Sequence, residues 1–246
     1  MTTEEASRGF TTKLLGGREV AERTMAFRFE KPAGWIFKAG QFVDMTLINP
    51  PETDAEGDTR SFSIASAPFE ETLMIATRLR DTAFKRTLRT MPRGTEVRIE
   101  GPLGNLTLHN TPARPAVFAS GGIGITPIRS ILWNAARQKL PHRIFLFYSN
   151  RRPEDAPFLQ ELDALQRENP NYSLVATMTK VEELRHPWHG ETGYVTREML
   201  SKYLTGVVSA IYYITGPAAM VTGLRAVLNS AGVNDDDIRT EEFTGY

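Results

Sequence analysis

Ala116-Val117-Phe118-Ala119-Ser120-Gly121-Gly122-Ile123-Gly124-Ile125-Thr126-Pro127 is the stretch from which the rest of the chain becomes readable. An apolar run enters three glycines, and behind them Ile128, Ile131, Leu132 and Ala135 recur at helical spacing. Strand, glycine turn and helix start together make a seat for phosphate. Glycine admits positive φ and close approach, while the free N–H groups and positive dipole end of the helix favour an anion. The pattern predicts Gly121, Gly122 and Gly124 as phosphate-approach positions, Thr126 as the N-cap and Pro127 as the first helical residue. The loop is not the full G-x-G-x-x-G fingerprint, so a plain structural turn has the same local signature.

Downstream, strands are expected at 116–119, 143–148, 173–178 and 210–215. Between the second and third, Phe158, Leu159, Leu162 and Leu165 mark an apolar helix face; after the fourth, Met220, Leu224, Val227 and Leu228 mark another. Such alternation implies a parallel sheet with ligands at the carboxyl ends of its strands, where both the glycine loop and Thr215-Gly216-Pro217 fall.

Upstream the texture changes. Segments 24–29 and 73–79 alternate in polarity, 41–48 is strand-like, Gly and Pro punctuate the joins, and only 81–91 looks helical. The acidic, turn-rich segment 49–58 reads as an exposed loop, and 109–115 as a linker. The expectation is an antiparallel β-barrel over residues 1–110 and an α/β domain with a parallel sheet over 111–246. In the first half, Arg60-Ser61-Phe62-Ser63 puts a cation, two hydroxyls and an aromatic face on one extended stretch, able to pair charge with phosphate and stack on a flat heterocycle.

Composition narrows the function. With 41% apolar residues, 246 residues can bury a substantial core. Lys and Arg number 29 against 29 Asp and Glu, so bulk charge suggests no nucleic-acid or anionic-membrane partner. No run approaches the roughly 18 apolar residues of a membrane span, and the acidic start lacks a secretory pattern, so a cytoplasmic setting is expected. Cysteine is absent, which excludes from these residues a disulfide, a thiol nucleophile and a Cys-ligated zinc or iron–sulfur centre. His186 and His189 resemble a metal pair, but no further His or Cys lies nearby, and no metal is expected.

Taken together these motifs resemble the ferredoxin–NADP(+) reductase family of flavoproteins. That family has an Arg-x-Tyr-Ser flavin motif in its barrel, a glycine loop opening its nucleotide domain, a later Cys-Gly-Pro segment and an acidic-x-aromatic segment further on. Here they read, in the same order, as Arg60 to Ser63, Gly121 to Pro127, Thr215-Gly216-Pro217 and Glu241-Glu242-Phe243. The resemblance implies FAD, favoured over FMN, held by Arg60, Ser61, Phe62 and Ser63, with Arg78, Phe84 and Lys85 around its pyrophosphate; Lys85 and Arg86 read equally as solvated residues. Phe62 replaces the family's Tyr and keeps the stacking face without the hydroxyl. Ser63 would lie near the flavin N5, Thr215 takes the position of the family's Cys beside the nicotinamide, and Glu241 and Phe243 would flank the flavin, with Gly216 and Pro217 at the same turn. Tyr246 is a candidate for extra shielding.

Coenzyme choice turns on Tyr148-Ser149-Asn150-Arg151-Arg152 at the exit of the second parallel strand. A hydroxyl and guanidinium there suit the extra phosphate of NADP, so Ser149, Arg151 and Arg152 favour NADPH over NADH, with Glu154 and Asp155 competing for the arginines. The resemblance thus implies an NADPH-dependent reductase passing electrons to a protein acceptor of ferredoxin or flavodoxin type. An electron-transfer subunit of a larger enzyme, a reductase of flavins, ferric chelates or quinones, and a non-catalytic flavin or nucleotide sensor stay open.

Overall fold

Among the described residues, twelve strands and five α-helices build two sheets that share one buried seam. The computed structural model describes residues 9–184, 186–206 and 209–243; Tyr246 lies outside them. In the first half, β1 (Phe10–Ala21), β2 (Thr24–Glu30), β3 (Phe42–Leu47), β4 (Thr59–Ser63), β5 (Thr72–Arg78) and β6 (Glu96–Leu103) pair in the order β4-β3-β6-β1-β2-β5, with α1 (Ala83–Thr90) between β5 and β6. Each ladder is antiparallel. Alternation sends Phe27, Phe29, Val43, Met45, Ile75 and Ile99 to the interior. Ala65 N donates to Met74 O at 2.7 Å, drawing the two edge strands together so that the sheet curls into a barrel. One end is plugged by Phe84 and Leu88 of α1.

The second half holds β7 (Ala116–Gly121), β8 (Ile144–Asn150), β9 (Tyr172–Met178), β10 (Glu191–Thr192), β11 (Ile211–Gly216) and β12 (Ile238–Glu242), ordered β10-β9-β8-β7-β11-β12. All its ladders are parallel. One face packs on α2 (Ile125–Arg137) and α3 (Leu159–Glu168), the other on α4 (Arg197–Tyr203) and α5 (Ala218–Ser230). Burial on both faces explains why β7, β8 and β11 read as unbroken apolar runs rather than alternating ones. The chain winds outward from β7 through β10 and returns to the other side at β11, which opens a crevice at the carboxyl ends of β7 and β11.

The seam between the halves is apolar and ionic at once. Ala26, Met74 and Ala76, on the outer face of β2 and β5, join the same core as Ile125, Ile128 and Ile131 of α2. Beside them Arg129, 4% exposed, donates to Ala65 O at 2.6 Å and Glu70 Oε2 at 2.9 Å and pairs with Glu161 of α3 at 2.5 Å.

Two local expectations are corrected. Thr126 and Pro127 do not start α2: Gly122–Gly124 form a 3-10 turn, Gly124 takes the cap position, and the Thr126 hydroxyl donates backwards to Ile123 O at 3.0 Å. The proline is tolerated inside the first turn because N–H groups there have no intrahelical acceptor. Segment 109–115 is not a free linker either. His109 is 5% exposed, its backbone N–H and Nδ1 both meet the Tyr213 hydroxyl, at 2.8 and 2.9 Å, and Nε2 reaches Arg114 O at 3.1 Å. Nε2 faces a carbonyl, which can only accept, so it carries the ring hydrogen; burial lowers the proton affinity of His109, and in the neutral ring Nδ1 accepts from the Tyr213 hydroxyl.

Candidate functional site

The crevice is where the two halves bring their motifs together. A cleft of about 450 Å³ is lined from the barrel by Arg60, Ser61, Phe62, Ser63, Arg78 and Lys85, and from the α/β half by Ile123, Thr126 and Phe243. Its size falls in the range of small-molecule sites. Strand β4 presents four consecutive predicted residues because its carboxyl end stops at the seam, where Ile64 N turns to bond Gln41 O at 2.9 Å.

Arg60 is the most heavily engaged of them. Its Nη1 donates to the carbonyls of Glu56, Gly57 and Thr59 at 2.8, 3.2 and 2.7 Å, and Nη2 meets Glu56 Oε2 at 2.8 Å and Asp54 at 3.5 Å. The acidic loop is therefore folded onto the barrel rather than projecting from it. Ala83 N, at the start of α1, donates to Asp54 Oδ2 at 2.9 Å, which holds that carboxyl below its usual range, and Arg86 is drawn away to Glu52 and Asp81. Carboxylates thus meet the same guanidinium and helix start that the resemblance assigns to flavin phosphates. Lys85 donates from Nζ to Arg78 O at 2.8 Å; burial, with Arg80 and Arg60 nearby, pulls its amine down to about 8. Ser61 is tied to Asp44 of β3.

Phe84 departs from its expected place. It is fully buried in the barrel core beneath the cleft, with the Phe62 ring 5.8 Å away and the Arg60 guanidinium 5.2 Å above it, so it supports the site without lining it.

The three candidate catalytic residues arrive from three strands. Thr215 of β11 pairs in register with Glu241 of β12, and Ser63 Oγ donates to Glu241 Oε1 at 3.4 Å. Burial pushes the Glu241 carboxyl up, opposed by the Ser63 hydrogen bond. The Thr215 side chain does not open on the cleft: it is fully buried, donating to Ser120 Oγ at 3.2 Å inside the sheet. Gly216 O accepts from Phe243 N at 2.9 Å, which fixes the aromatic over the cleft, and Pro217 leads into α5.

On the nucleotide side the glycines are required by contact. A Cβ on Gly124 would lie 2.6 Å from Thr215 O, and Gly122 sits at φ +53°. Sequence reasoning missed what holds this loop: buried Asn150 accepts the Gly122 N–H on Oδ1 at 3.2 Å, and the Tyr148 hydroxyl donates to Gly122 O at 3.2 Å. The signal was an amide and a phenol in an otherwise apolar strand. Ser149 stands opposite Gly121 in register, outside the cleft lining, and Arg151 is exposed. Arg152 is not a free cation: Asp155 holds it through two bonds of 2.9 and 3.0 Å, and Glu22 of the barrel through one of 2.8 Å. Among the described residues no group of three or more His, Cys, Asp or Glu could hold a metal, and no helix is long and apolar enough to cross a membrane.

The cleft brings together cationic donors and the Phe62 and Phe243 rings, with Ile123 of the glycine loop on its wall, groups able to take phosphate and a flat ring. Comparison with known proteins agrees. Residues 118–226 match the oxidoreductase NAD-binding domain. The glycine betaine monooxygenase reductase subunit of Chromohalobacter salexigens is 28% identical over 224 residues, covering 90% of this chain and 60% of that protein. A cytochrome P450 reductase of Amycolatopsis has a TM-score of 0.81 at 21% identity, covering 97% of this chain and 70% of its own. A ferredoxin NADP+ reductase from Neisseria gonorrhoeae, solved with FAD and NADP, has a TM-score of 0.77 at 23% identity, covering 95% and 98%. The chain shares the two-domain fold of these reductases, and its second half carries the match to the NAD-binding domain. It spans about 60% of the length of the first curated relatives it matches.

Proposed function

We propose that the chain is an NAD(P)H-dependent flavoprotein reductase working in the cytoplasm, with residues 1–110 as its FAD-binding barrel and 111–246 as its nucleotide-binding domain. The observation that carries this reading is the cleft in which the Arg60 to Ser63 strand, the glycine loop and Phe243 meet. Arg60, Ser61, Arg78 and Lys85 hold the flavin's polar end, and Phe62 and Phe243 bracket its apolar part. Gly121, Gly122, Gly124 and Thr126 seat the nucleotide diphosphate, with Gly216 and Pro217 closing the turn beside it. Held there, FAD would supply hydride acceptance from the nicotinamide and single-electron release. When the raised Glu241 carboxyl holds a proton at Oε1 it donates to Ser63 Oγ, and the Ser63 hydroxyl is then free to donate at the reacting edge. Ser149 and Arg151 recognise the 2′-phosphate, which favours NADPH as donor. Thr215 keeps the turn in shape through Ser120 instead of touching the ring.

The acceptor we propose is a ferredoxin- or flavodoxin-type protein. A second reading, a reductase component of an oxygenase system, is supported by the named role of the Chromohalobacter relative. In either case a Cys-ligated iron–sulfur centre must lie outside these 246 residues, which contain no cysteine. Anaerobic visible spectra test the core of the reading: flavin bands that bleach quickly with NADPH and slowly with NADH are expected. A protein that stays colourless after incubation with FAD overturns it, and a yellow one that neither nucleotide bleaches leaves a sensor.

A further inference from the structure

Arg152 lies just beyond the carboxyl end of β8, where a wound α/β sheet meets the ribose of a dinucleotide and where an arginine accommodates a 2′-phosphate. Of the two adjacent arginines, Arg151 is exposed and forms no ion pair among the described residues, whereas Arg152 is paired with two carboxylates through Nε and Nη2. Its Nε and Nη2 grip both oxygens of Asp155 at 2.9 and 3.0 Å, and Nη2 also meets Glu22 Oε2 at 2.8 Å. Asp155 is a local partner three residues on. Glu22 comes from the other sheet, in the turn between β1 and β2, and its position is fixed because Glu22 N donates to Glu154 O at 2.8 Å.

We propose that Glu22 is a coenzyme-discriminating residue which withholds Arg152 from the 2′-phosphate, an inference that rests on the nucleotide site proposed above. A 2′-hydroxyl makes no demand on Arg152. A 2′-phosphate meets a guanidinium whose Nε and Nη2 are already turned to Asp155 and Glu22, and it brings its negative charge up to both carboxylates, so the Glu22–Arg152 pair opposes NADPH and is indifferent to NADH. The barrel thereby takes part in choosing the ligand of the other half. Ser149 and Arg151 attract the phosphate, and Glu22 limits how far that attraction is realised.

The test uses the full chain and calorimetric titration with adenosine 2′,5′-bisphosphate and with AMP. In Glu22→Gln, affinity for the bisphosphate should rise about fivefold, the scale of one partly exposed ion pair, while AMP binding stays constant. The gain should vanish in Glu22→Gln/Arg152→Ala. Unchanged or weaker bisphosphate binding in Glu22→Gln, with AMP still bound, overturns this inference alone. Parallel weakening of both ligands assigns Glu22 a merely structural part and also overturns it. If neither ligand binds the wild-type chain, the nucleotide site itself falls and takes the inference with it.

Discussion

Glu241 is a half-buried carboxyl on β12 that Ser63 Oγ meets at 3.4 Å, a long hydrogen bond. Burial raises its proton affinity above the unfolded value. A carboxyl whose folded pKa is raised favours folding below its unfolded pKa, near 4.5. That contribution is lost as pH climbs through the folded value, because the charged form resists burial. Glu241→Gln should therefore raise the melting temperature more at pH 8 than at pH 4, and flatten the wild-type dependence between them. Thermal unfolding followed by circular dichroism across that range checks it; equal shifts at both ends would mean that Glu241 is ionised and satisfied in the fold.

The loop between β3 and β4 behaves as an element despite having no regular structure. Through Glu52, Asp54 and Glu56 it binds Arg86, the start of α1 and Arg60. In the flavin site proposed above, a phosphate at Arg60 would compete with these carboxylates, which are partly exposed and so weakly held. Asp54→Asn/Glu56→Gln should tighten FAD binding by about threefold or more, measured by quenching of flavin fluorescence. Weaker binding in that variant would make the loop a support for the flavin instead of a competitor. Such a contact is invisible to local pattern: the acidic run reads as solvated until folding shows which cations it reaches. The same limit explains Arg152, where Asp155 was legible three residues away but Glu22 was not. Elements buried on both faces, such as β7 and β11, announced themselves as apolar runs. β1 did not, since its charged outer face and the bulge at Gly16 break the alternation, and β12, Ile-Arg-Thr-Glu-Glu, has a single buried apolar side chain. Thr215 was legible as a position but not as a direction, because its hydroxyl chose Ser120 inside the sheet.

At the scale of the molecule, the two halves are joined by an ionic latch set into apolar packing. Arg129 of α2 takes Glu70 and the Ala65 carbonyl from the barrel and Glu161 from α3, and next to it Ser130 Oγ donates to Ser66 O at 2.7 Å. Removing a buried partner strands the others, so Arg129→Ala should cost about 3–5 kcal/mol in urea unfolding and separate one transition into two. A single transition with under about 1 kcal/mol lost would show that apolar packing alone holds the seam.

The connector anchored by His109 has a consequence for recombining such proteins as modules. A chimera spliced at 110/111 carries His109 away with the barrel and leaves the Tyr213 hydroxyl and the Arg114 carbonyl of the recipient half without the ring that satisfies them. A junction placed before Leu106, which already packs in the core around α2, transfers the anchor intact. The natural unit of exchange is thus set by a buried imidazole, several residues upstream of where the sheet begins.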